Sequence, residues 1–97
     1  MIKHIVMLKL LDKNKTNTEK VVNALKSLEG NIEVLRSIEI GVNITESERS
    51  YDVALTTEFD NQEGLSTYGT HPNHLPVVET IRSLCSGSVV VDYELAY

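Results

Sequence analysis

Ninety-seven residues with 41% hydrophobic content can bury one small core but not a deep enclosed one, so a single domain over residues 1–97 is expected. Fourteen acidic against nine basic residues give a net charge of −5, which opposes attraction to nucleic acid or anionic lipid, and no run approaches the ~20 apolar residues of a membrane span. A single Cys85 excludes an internal disulfide, and Lys9 interrupts the apolar start before signal-peptide length, so a cytoplasmic location is expected.

Residues 2–10 alternate Ile2, His4, Val6 and Leu8 with Lys3, Ile5, Met7 and Lys9. Apolar groups on both sides predict a strand covered on both faces. Thr16 and Glu19 have the spacing of a capping box, Val21, Val22, Leu25 and Leu28 form a helical stripe, and Gly30 offers a left-handed stop. Residues 34–43 read as a second strand with Ile38, Ile40 and Val42 on one face, and residues 51–59 as a third, antiparallel to it. Asp60 with Glu63 repeats the capping pattern for a short helical piece carrying Leu65 and Tyr68 and stopping at Gly69. Both prolines, Pro72 and Pro76, fall just before the next apolar stripe. Proline is tolerated in a first turn and not in a helix interior, so a helix should start near Asn73, bury Val77, Val78, Ile81, Leu84 and Cys85, and end at Gly87. Residues 88–95 give the last strand, with Val89, Val91, Tyr93 and Leu95 opposite Val90, Asp92 and Glu94.

The order β-α-β-β-α-β points to an α+β, ferredoxin-like domain with a four-stranded antiparallel sheet and helices on one face. The strands carry more apolar positions than one helical layer covers. A second copy closing the open face is the economical solution, so a homodimer through the sheet is expected.

Two of the three histidines, His71 and His74, follow Tyr68 closely, and the third, His4, lies near the start of the expected central strand. A sheet–helix cleft could bring them together. Histidine exchanges a proton near neutral pH, and a tyrosine hydroxyl can hydrogen-bond a developing enolate or oxyanion, so the group has the makings of a cofactor-free acid/base site. The same residues also fit a structural reading, with His71 in a turn before Pro72, His74 at a helix start and His4 packed in the core. A metal site is not expected, since a structural zinc needs four ligands and Cys85 lies near the far end of its helix. Gly-rich phosphate loops, nucleophile elbows and paired cysteines are lacking in the sequence.

The opening Ile2-Lys3-His4-Ile5-Val6, the Glu58-Phe59 strand end, the segment Tyr68-Gly69-Thr70-His71-Pro72-Asn73-His74 and the closing Val90-Val91-Asp92-Tyr93 together resemble the stress-responsive dimeric α/β-barrel (Dabb) family. The resemblance implies a homodimeric barrel closed through the two sheets. One plant member is a polyketide cyclase performing a cofactor-free aldol cyclisation of a linear tetraketide thioester, and its catalytic tyrosine and histidine match Tyr68 and His74. By that similarity His74 is the general base and Tyr68 the hydrogen-bond donor, while His4 and His71 contact substrate. Gly69, Thr70 and the low aromatic content speak against a large aromatic-lined tunnel. The resemblance therefore implies a small-molecule-binding homodimer, with cofactor-free cyclase or lyase activity at this site. The competing expectations are a non-catalytic stress or interaction protein and a monooxygenase of the related barrels.

Overall fold

Strands that alternate apolar and polar residues need a helical layer on one side, and the chain supplies it in three helices. The structure is a computed structural model that describes residues 1–95, so the last two residues of the expected domain lie outside the described residues. In chain order the elements are β1 (Ile2–Leu10), α1 (Lys15–Lys26), β2 (Ser37–Val42), β3 (Val53–Phe59), α2 (Gln62–Gly69), α3 (Leu75–Leu84) and β4 (Cys85–Glu94). The sheet runs β2-β3-β1-β4 with every neighbour antiparallel, which is the ferredoxin-like topology.

The two faces of the sheet differ sharply. Ile2, Leu8 and Leu10 of β1 and Val53, Leu55 and Phe59 of β3 pack under Val21, Leu25 and Leu28 of the α1 region, Tyr68 of α2 and Val77 of α3. On the other face, register lines up Ile5 with Thr56 and Val91, and Met7 with Ala54 and Val89. No helix covers these residues, and Val91 is 60% exposed.

The element ends depart from the sequence expectation for local reasons. Asn14, not Thr16, caps α1, its side-chain oxygen accepting the Asn17 amide at 2.8 Å. The helix closes at Lys26, and Gly30 turns the chain afterwards at φ 77°. Asn61 rather than Asp60 caps α2, because the Asp60 carboxylate is taken by Arg36 at 2.8 Å. Pro76 does sit in the first turn of α3. Gly87 is not a helix stop: α3 ends at Leu84, whose carbonyl accepts the Leu11 amide at 2.9 Å, and pairing of Cys85 with Leu10 pulls the chain straight into β4. Gly87 instead pairs with Lys9 beside a register shift.

Candidate functional site

His4 lies on the helix-facing side of β1, flanked by Thr57 of β3 and Asp92 of β4. Tyr68 occupies the last turn of α2, and its ring is buried against Phe59 at a centroid distance of 5.0 Å. Residues 70–74 then fold tightly, the His74 and Leu75 amides both donating to the His71 carbonyl at 2.9 and 3.1 Å. This turn sets His74 at the N-cap of α3 without making it a side-chain cap. Its imidazole instead stacks on Tyr68 with ring centroids 4.2 Å apart, while His4 meets Tyr68 edge-on at 6.1 Å.

The partners of the ring nitrogens sort the three histidines by role. A backbone carbonyl can only accept, so His74 Nδ1, 3.2 Å from the Gly69 oxygen, carries a proton and leaves Nε2 as the basic nitrogen of the neutral ring. His4 Nδ1 likewise donates to the Asp92 carboxylate, leaving its Nε2 free to accept. His71 has the opposite tautomer. Its Nδ1 accepts the Asn73 amide at 3.0 Å and its Nε2 faces Glu33 at 3.4 Å. With Asn73 Nδ2 donating to the Asn31 carbonyl at 2.8 Å, it ties the turn to the connection between α1 and β2.

The structure thus brings Tyr68, His74 and His4 into one cluster and turns both ring nitrogens of His71 to protein partners. Asp92, which orients His4, was not singled out from the sequence. Its only signal there is its place on the same face of the last strand as Val90 and Glu94.

Burial shapes the proton chemistry of the pair. Desolvation lowers the pKa of His74, with further lowering from the nearby His4 and His71 and partial opposition from the Gly69 carbonyl, so the neutral, basic form is favoured. Burial pushes the Tyr68 phenol up to about 12, which keeps it a protonated donor. Among the described residues its hydroxyl has no hydrogen-bond partner, yet no fully buried side-chain polar atom is left unpaired, so the hydroxyl reaches solvent.

Asp92 also walls a groove of about 380 Å³ between α2 and the β1–β4 edge, shared with Ile2, Gln62, Leu65, Ser66 and Glu94. A larger cleft of about 520 Å³ at the other end of the sheet lies between Lys9, Lys13, Glu46 and Asp52. Its charges are already satisfied within the chain, Lys13 pairing with both Glu46 and Asp52, so the smaller groove beside the histidines is the better candidate. Among the described residues no three His, Cys, Asp or Glu side chains gather as metal ligands.

Comparison with known proteins agrees with this architecture. An uncharacterised protein of Streptomyces coelicolor is 35% identical over 97 residues, covering 97% of this chain and 99% of its own. A dimeric protein of unknown function and ferredoxin-like fold from Bacteroides fragilis is 31% identical and superposes with a TM-score of 0.83 over 97% of this chain and 95% of that one. A hydroxynitrile lyase from Passiflora edulis shares the fold at 13% identity, with a TM-score of 0.84 over 97% and 92% of the two chains. A family model described as Stress responsive A/B Barrel Domain matches residues 2–95. On that match, the chain belongs to the stress responsive A/B barrel domain family.

Proposed function

We propose that the protein works as a homodimer closed through its open sheet faces, and that each subunit binds a small carbonyl compound in the sheet–helix groove and moves a proton on it without a cofactor. The observation that carries this reading is the stacked Tyr68–His74 pair, in which a neutral imidazole exposes a basic Nε2 beside a phenol that stays protonated. His74 Nε2 takes a proton from a carbon or hydroxyl next to the reacting carbon. The electron pair moves toward an oxygen that the Tyr68 hydroxyl hydrogen-bonds, and the imidazolium returns the proton once the bond is made or broken. His4, held by Asp92, offers a second acceptor nitrogen at the edge of the same ring. The dimeric state of the Bacteroides fragilis relative supports the assembly, and the lyase with this fold supplies a precedent for its use in proton-transfer chemistry.

The test is turnover of a short panel containing an acetoacetyl thioester and an aromatic cyanohydrin by the wild type, His74→Gln and Tyr68→Phe. Losing the base should cost roughly 10²–10⁴-fold in rate, and losing one oxyanion donor roughly 10²–10³-fold. Tyr68→Phe should leave the melting temperature nearly unchanged, because the hydroxyl has no partner among the described residues, which separates chemistry from folding. Undiminished turnover in folded His74→Gln protein would defeat the proposal.

A further inference from the structure

The groove beside His4 carries a charge pattern that the acid/base reading does not use. Gln62 and Ser66 of α2 line it with neutral donors and acceptors, whereas Asp92 and Glu94 of β4 line it with carboxylates. Asp92 pairs with His4 and Glu94 with Ile2, so both carboxylates stand on the helix-facing side, two residues or roughly 7 Å apart along the strand. Among the described residues no lysine or arginine contributes to the groove wall. Lys3 is paired with Tyr93 on the opposite face of the sheet, and Arg36 is held by Asp60. Any positive charge that His4 takes up is already faced by Asp92.

An anion entering this groove therefore meets two like charges and no free cation, between walls that screen charge less than bulk water. An uncharged carbonyl compound meets none of that repulsion. Gln62 and Ser66 can hydrogen-bond its polar atoms while its reacting carbonyl lies against the Tyr68–His74 pair. We infer that the site selects uncharged carbonyl compounds and rejects carboxylates, phosphates and coenzyme A thioesters, with Glu94 setting the discrimination. This selectivity deepens the proton-transfer function above and rests on it.

Two thioesters with the same acetoacetyl group isolate the charge: the neutral N-acetylcysteamine ester and the anionic coenzyme A ester. Titration followed through the backbone amide resonances of Gln62, Ser66 and Asp92 should give a Kd for the neutral ester at least ~10-fold lower at about 50 mM salt, with the gap narrowing as salt rises. Glu94→Lys should improve the coenzyme A ester relative to the neutral one by about fivefold. Equal or tighter binding of the coenzyme A ester, no groove response to either ester, or an unchanged ratio in Glu94→Lys would each overturn the inference. The two proposals fail separately. Loss of turnover in His74→Gln without charge discrimination leaves the function and removes the selectivity, whereas discrimination with undiminished turnover does the reverse.

Discussion

His74 is half-buried on the ring of Tyr68, and that position has a cost in acid as well as a use in catalysis. Desolvation lowers its pKa in the folded protein, while the unfolded chain binds a proton near the ordinary histidine value of about 6.5. The unfolded state therefore takes up the proton first as pH falls. The stability contributed by neutral His74 is fully present above about pH 6.5 and is lost as pH drops through the lowered folded value. Thermal melts of the wild type and His74→Gln between about pH 7.5 and pH 5 should show a smaller acid-induced fall in the variant, which has no group to charge at that site. Parallel curves would mean that the ring is solvated in solution. Tyr68 behaves oppositely in usefulness, since a phenol pushed up to about 12 remains a donor throughout this range.

Elements with a sustained period were legible in the chain, and their ends were not. The alternations of β1 and β3 and the stripes of α1 and α3 follow directly from burial, which acts on many residues at once. Caps depend on a single hydrogen bond, and a tertiary partner can reassign it, as Arg36 does by occupying Asp60 and leaving Asn61 to close α2. The candidate site divides in the same way. Tyr68 and His74 lie close in sequence, so their grouping could be read, but Asp92 reaches His4 across a separation of 88 residues through the β1–β4 register. Asp52 also escaped notice, because simple alternation assigns it to the face of Ala54 and Thr56. It is buried at the head of β3, where its carboxylate accepts the Leu10 amide at 2.8 Å. Asp52→Ala should destabilise the protein by roughly 1–3 kcal/mol in urea unfolding, since a buried amide loses its acceptor, and Asp52→Asn by less, because an acceptor oxygen remains. Equal effects of the two substitutions would show that charge, and not the acceptor, is what matters there.

At the scale of the whole molecule, the sheet has one face too many. Ile5, Met7, Val89 and Val91 form an apolar strip on the side away from the helices, while Lys3 and Glu58 pair at one end of it. A strip apolar in the middle and charged at its margin suits closure against a copy of itself, where a two-fold axis brings each residue into the interface twice. Neighbouring valines on β4 provide a sharp test because strand geometry sends them to opposite faces. Val91 is 60% exposed on the open face and Val90 is 57% exposed on the helix side, so the two are matched in residue type, strand and exposure. Val91→Lys would bring two ammonium groups into a closed sheet–sheet interface, at a desolvation cost of several kcal/mol per dimer. Sedimentation should then find a folded monomer at micromolar concentration, whereas Val90→Lys should sediment with the wild-type dimer. If both variants dissociate, the contact runs along the β4 edge and not across the face. If neither does, the open face is not the interface, and the exposed strip needs another partner.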